Sequence, residues 1–120
     1  MGTDNPFASE VGEILSCNDF YDYDAKYILG TSGLNIPANI PKEASLEIRE
    51  TAVKAFKALG CFGLSRVDFF LADNGKVYLN ELNTMPGFTS ISMYPKLMEN
   101  LGIPYGELLD RLIKLAYERN

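Results

Sequence analysis

The tripeptide Asp73-Asn74-Gly75 lies between two strand-like runs, 63–72 and 76–83, and no other feature of the sequence limits the fold so tightly. Asn-Gly flanked by alternating apolar residues is the strongest short-range signal of an antiparallel hairpin. With Asn74 and Gly75 at the centre of a two-residue turn, Asp73 faces Lys76, and paired residue numbers keep a constant sum along the ladder. That register sets Arg66 opposite Asn83 and Asp68 opposite Glu81 on one face, with Val67 opposite Leu82 and Leu71 opposite Tyr78 on the other. Directly opposed side chains have Cβ atoms roughly 4.5 to 5.5 Å apart, where like charges destabilise unless something neutralises them. Two carboxylates and an amide oxygen make an all-oxygen set suited to Mg²⁺ or Mn²⁺. Ordinary solvated charges on an exposed face are the competing reading, and spacing alone leans toward it. A three-residue turn would shift the register and undo the pairing.

The other elements follow from period and punctuation. Residues 1–10 carry Gly, Asn and Pro with little periodicity and are read as a cut beginning that runs into a partial element. A short strand is expected over 11–16. Residues 17–33, rich in aromatic and charged residues without a clean period, are read as a long specialised loop. Ile36 and Ile40 each precede a proline, which makes 34–41 an extended connector or edge strand. From Pro41 to Leu59, the residues Ile48, Ala52, Ala55, Phe56 and Leu59 share one helical face, and Gly60 follows as a stop. After a loop over 84–92, a helix is expected at 94–100, ended by Gly102. A last helix over 104–119 is read from Leu108, Leu109, Leu112, Ile113 and Ala116. The fold class is therefore α+β: one domain over 1–120, with an antiparallel sheet built around the hairpin and packed by three helices.

Length and charge bound the function. A chain of 120 residues buries roughly 60 to 70% of its unfolded surface and leaves no room for a second full domain. With 47% apolar and 22% charged residues, the composition is that of a folded domain. A net charge of -5 argues against a broad grip on nucleic acid or anionic lipid, which needs clustered Lys and Arg. Cys17 and Cys61 are far apart, no histidine is present to complete a zinc set, and both are read as reduced, buried thiols. No apolar run reaches the roughly 18 to 20 residues needed to cross a bilayer, and a cytoplasmic location is expected.

Three stretches carry a resemblance: Phe20-Tyr-Asp-Tyr-Asp-Ala-Lys-Tyr27, Gly63-Leu-Ser-Arg-Val-Asp-Phe-Phe70, and Asn80-Glu-Leu-Asn-Thr-Met-Pro-Gly-Phe-Thr-Ser-Ile-Ser-Met-Tyr-Pro95. In this order they resemble D-alanine-D-alanine ligases from about Val11 to the C-terminus. The resemblance implies an ATP-grasp fold, with ATP held between two α+β subdomains, of which this chain supplies mostly the second. It also implies that the N-terminal domain and the first ATP-grasp segment are missing. The reaction implied is phosphorylation of one D-alanine carboxylate by ATP, followed by attack of a second D-alanine amine on the acyl phosphate. The product serves peptidoglycan precursor synthesis, and the complete enzyme is expected to be a homodimer.

Carried over residue by residue, the resemblance makes Asp68, Glu81 and Asn83 the ligands of two Mg²⁺ (or Mn²⁺) ions. Asn80, Glu81 and Lys26 become ATP-binding residues, Lys26 at the terminal phosphate. Arg66 would stabilise the transferred phosphoryl group and the tetrahedral intermediate, and the Gly87 N–H would contribute an oxyanion site. Ser92 and Met93 would hold the carboxylate of the second D-alanine. The loop 20–27 would close over the site, with Tyr27 where ligases that make D-alanyl-D-lactate usually carry histidine; a chain without histidine fits the dipeptide enzyme. The isolated chain is expected to be inactive. The alternatives are a non-catalytic metal- or nucleotide-binding module, and an ATP-grasp ligase for another amino or hydroxy acid such as D-lactate.

Overall fold

A computed structural model describes residues 1–15, 33–89 and 91–119. The predicted loop 17–33, and with it Cys17, Lys26 and Tyr27, lies outside the described residues except for Gly33. Along the chain the elements are β1 (Glu13–Leu15), β2 (Gly33–Asn35), α1 (Lys42–Ala58), β3 (Arg66–Leu71), β4 (Val77–Asn83), α2 (Met93–Asn100) and α3 (Tyr105–Tyr117). The antiparallel pairing is divided between two ladders, β1 with β2 and β3 with β4. An isolated bridge between Gly2 and Gly63 leads the opening segment to the start of the hairpin.

α1 begins after Pro41, whose missing N–H costs a helix start nothing. It ends as predicted at Gly60, where the Cys61 N–H reaches back to the Phe56 carbonyl at 3.0 Å. Ala44, Ile48 and Phe56 are its buried residues. Leu59, assigned to the same face from its spacing, is 68% exposed. It occupies the C-cap, beyond the last regular turn, where the helical period no longer governs where a side chain lands. α1 lies over β4, and the Arg49 guanidinium donates to the Ala8 carbonyl at 3.2 Å, tying the helix to the opening segment.

The main core sits between α2 and α3. Tyr94, Met98, Ile103 and Leu108 are buried together with Met1, and Leu64, Phe88, Leu112 and Leu115 pack around them. The helical spacing that marks α3 in the sequence runs through Leu108, Leu109, Leu112, Ile113 and Ala116, and the core takes only part of that set. Leu109, Ile113 and Ala116 are exposed instead. The inward stripe runs Leu108, Leu112, Leu115 because α2 covers only a narrow arc of α3, so the i+1 neighbours fall outside it. The opening residues, in which the sequence showed no period, place Met1 in this core. Its amine donates to the Phe7 carbonyl at 2.9 Å, and burial pushes the amine down to about 6. Cys61 is a free thiol and only half-buried.

Candidate functional site

The hairpin departs from the predicted turn and still delivers the predicted pairs. Gly75 has φ +85°, a region that suits glycine, and no other residue type among the described ones has positive φ. A two-residue type I′ turn would need positive φ at Asn74 as well. Asn74 instead turns its side chain back, and its Oδ1 accepts the Lys76 N–H at 3.0 Å. The ladder therefore closes one step further out, with the Ala72 N–H donating to the Lys76 carbonyl at 2.9 Å around a three-residue loop. Leu71 then pairs with Val77 and Phe70 with Tyr78, which corrects the predicted Leu71–Tyr78 pair. Between Asp68 and Phe69 the register shifts: Phe69 faces Leu79, Asp68 faces Glu81, and Asn80 is the extra residue of a β-bulge. The bulge offsets the longer loop. Arg66 faces Asn83, Val67 faces Leu82 and Asp68 faces Glu81, as the sequence arithmetic had it.

On this face Arg66 grips Asp68 with one edge of its guanidinium, Nε to Oδ1 at 2.9 Å and Nη2 to Oδ2 at 3.0 Å. Asn83 donates from Nδ2 to Glu81 Oε1 at 3.3 Å. Asn80 and Glu81 are both exposed. Side chains alternate along a strand, so Phe70 shares the face of Arg66 and Asp68 and is 63% exposed, with Tyr78 as its cross-strand partner. The sequence reading had put Tyr78 on the opposite face; only the loop length separates the two assignments. As a donor set, Asp68, Glu81 and Asn83 offer two carboxylates and an amide oxygen within one cross-strand neighbourhood, which suits a hard divalent cation. Among the described residues no group of three or more His, Cys, Asp or Glu side chains that could hold a metal ion is gathered, and the hairpin itself brings together two carboxylates.

The loop after β4 carries the other expected residues. Phe88 is stapled between α2 and α3, its ring 6.0 Å from Tyr94 and 5.3 Å from Tyr105, and its carbonyl accepts the Tyr105 hydroxyl at 2.9 Å. Ser92 is the residue before α2, and Met93 is the first residue of that helix. Ser92 Oγ accepts the Thr89 N–H at 2.9 Å and shares a hydrogen bond with Thr89 Oγ1 at 2.8 Å. Gly87 packs directly on this hydroxyl, and a Cβ there would come within 2.9 Å of Ser92 Oγ. Gly87, Ser92 and Met93 thus form one unit at the start of α2. Gly87→Ala is expected to expel the Ser92 hydroxyl from Thr89 and to cost about 1 kcal/mol of stability, the net value of a hydrogen bond. In a double-mutant cycle read by urea unfolding, the penalty should vanish in a Ser92→Ala background; an undiminished penalty would show that Gly87 acts through its backbone alone.

A family model described as D-ala D-ala ligase C-terminus matches residues 1–114. Over 120 residues the chain is 62% identical to the D-alanine--D-alanine ligase of Acetivibrio thermocellus, covering 99% of this chain and 32% of that protein. With the enzyme of the same name from Geobacillus thermodenitrificans the identity is 54%, over 100% of this chain and 33% of the relative. The structure is similar to that of the D-alanine-D-alanine ligase from Coxiella burnetii, with a TM-score of 0.81 and 40% identity, covering 98% of this chain and 30% of that one. It is also similar to the VanG D-Ala:D-Ser ligase from Enterococcus faecalis, with a TM-score of 0.79 and 46% identity, covering 95% of this chain and 33% of that one. The chain spans about a third of the length of the curated relatives it matches.

Proposed function

The chain belongs to the D-ala D-ala ligase C-terminus family, and from that premise we propose that a protein of its relatives' length joins two D-alanines at the expense of ATP, through an acyl phosphate. The α+β architecture and the similar solved ligases agree with the ATP-grasp expectation. Residues 1–120 would form the second part of the ATP-grasp unit, with the first part and an N-terminal domain supplied by the rest of the polypeptide. One observation carries the reading: the β3–β4 register sets Asp68 against Glu81 and Arg66 against Asn83 in a chain 62% identical to a named ligase.

In this reading Asp68, Glu81 and Asn83 hold two Mg²⁺ or Mn²⁺ ions. When bound, such ions screen the ATP phosphate oxygens while the phosphoryl group is transferred. The bulge residue Asn80 and its neighbour Glu81 face the nucleotide, and the exposed ring of Phe70 offers a flat apolar surface beside the carboxylates for the adenine. Arg66 directs a planar, permanently charged fork at the transferred phosphoryl group. The Gly87 N–H faces the oxygen that becomes negative as the tetrahedral centre forms. Ser92 and Met93 at the start of α2 receive the carboxylate of the second D-alanine, where the helix N-terminus favours an anion. Lys26, at the terminal phosphate, and Tyr27, at the second substrate, complete the site. The cell-wall role, a cytoplasmic location and a homodimer belong to this same proposal. Among the described residues no helix is long and apolar enough to cross a membrane.

The test is ATP-dependent phosphate release with Mg²⁺ and D-alanine, D-serine or D-lactate, on the relatives-length protein and on residues 1–120 alone. Release with D-alanine in the long protein only is the expected result. The 46% identity to a D-Ala:D-Ser ligase gives the second reading its weight. D-serine outpacing D-alanine as the second substrate would move the assignment there, and catalysis by the short chain would refute the division of the site proposed above.

A further inference from the structure

We infer that Thr89 is a positioning residue for the second substrate: its hydroxyl donates to Ser92 Oγ, which leaves the one proton of the Ser92 hydroxyl for the carboxylate. The inference rests on the role proposed above for Ser92 and Met93. Ser92 stands before α2 with extended backbone, a place where a serine ordinarily turns its side chain into the first turn and accepts the N–H of the second or third helical residue. It makes no such bond. The third residue of α2 is Pro95, which has no N–H to offer. The side chain turns back to Thr89 instead.

Three contacts join the two residues. The Ser92 N–H donates to the Thr89 carbonyl at 3.1 Å, the Thr89 N–H donates to Ser92 Oγ at 2.9 Å, and the two hydroxyl oxygens lie 2.8 Å apart. A serine hydroxyl has one proton and two acceptor lone pairs, and the Thr89 N–H takes one of the lone pairs. If Ser92 spent its proton on Thr89 Oγ1, the direction left over would carry a lone pair, which repels a carboxylate. If Thr89 donates, both lone pairs are filled and the proton is what remains. A carboxylate selects the second arrangement, and a hydroxyl that already accepts two hydrogen bonds is polarised into a stronger donor. Thr89 is exposed, so water can meet its own lone pairs and this orientation strands no buried group. The first turn of α2, left without a side-chain cap, adds the positive end of its dipole to the same anion.

Phosphate release by the relatives-length protein, measured against D-alanine concentration, gives kcat and the apparent KM for the second D-alanine separately. Thr89→Val keeps the branched shape and the backbone bonds and removes only the hydroxyl. It should raise that KM about threefold to tenfold, the net worth of one neutral hydrogen bond, and leave kcat within about twofold. Thr89→Ser returns the hydroxyl and should return the KM to that of the wild type. Ser92→Ala should raise the KM about tenfold to a hundredfold, as for a hydrogen bond to a charged group, and adding Thr89→Val to it should change nothing further. Equal rises in Thr89→Val and Thr89→Ser overturn the inference, because the hydroxyl is then not what matters. A Thr89→Val penalty undiminished in the Ser92→Ala background overturns it as well, since Thr89 then acts without Ser92. An unchanged KM in Thr89→Val beside a raised one in Ser92→Ala removes the inference and leaves Ser92 on the carboxylate. A wild-type KM in Ser92→Ala removes both.

Discussion

Asp68→Ala in the relatives-length protein is expected to lower D-alanine-dependent turnover about a thousandfold, on the order of 4 kcal/mol of transition-state stabilisation. The size follows from what the carboxylate does twice over. It is the carboxylate that faces Glu81 across the ladder, and both its oxygens accept from the Arg66 guanidinium. Its loss leaves Glu81 and Asn83 with too few anionic oxygens for a hard cation and takes from Arg66 the carboxylate that its Nε–Nη2 edge grips. Folding should hardly respond. An ion pair about a third exposed is worth under about 1 kcal/mol, and relief of the Asp68–Glu81 repulsion offsets part of that. Steady-state phosphate release and urea unfolding on the same preparation separate the two effects. Turnover within tenfold of wild type in a folded protein would remove Asp68 from the chemistry.

How the register came to be legible in sequence is instructive, because two misreadings cancelled. Counting from Asn74-Gly75 assumed a two-residue loop and an unbroken ladder. The protein uses a three-residue loop and inserts Asn80 as a bulge, and both alternatives leave the same number of residues between Asp68 and Glu81. The pairs beyond the bulge were therefore predicted correctly, while those between bulge and turn were one residue out. Nothing in the local sequence marks Asn80 as a bulge. The sign that could have been read is the side chain of Asn74, which can accept the Lys76 N–H and so compete with the tight turn.

The helices divide along a similar line. Their existence and ends were written in Pro41, Gly60, Gly102 and the apolar period, since these act through local backbone physics. Which of two adjacent apolar residues faces inward was not, because that depends on the neighbour. Leu108 and Leu109 are equivalent in a period count, and α2 selects the first. Met1 was invisible for the same reason: a single apolar residue has no period, and its place in the core comes from the Gly2–Gly63 bridge. The candidate residues Arg66, Asp68, Glu81 and Asn83 were reached by spacing as well as by resemblance. Gly87 and Ser92 came from resemblance alone, and their direct packing against each other became visible only in three dimensions.

Leu108→Ala should be the most damaging single truncation of the core, at about 3 kcal/mol, within the range for emptying a leucine site. Leu108 is the one large side chain among the described residues with essentially no exposure, and it is surrounded by Met1, Tyr94, Met98 and Ile103. Against a total stability of roughly 5 to 15 kcal/mol for a domain, such a loss is a large fraction. Leu109→Ala, one residue on and exposed, should cost under about 1 kcal/mol. The contrast tests the structure's choice of inward face directly, and urea unfolding measures both. Equal penalties would mean that α3 is rotated from the arrangement described. The damage should also reach the site, because Leu108 shares its buried cluster with Tyr94, which lies two residues after Ser92 in the first turn of α2. With Leu108→Ala, the apparent KM for the second D-alanine should therefore rise before the protein unfolds. Leu109→Ala should leave it unchanged.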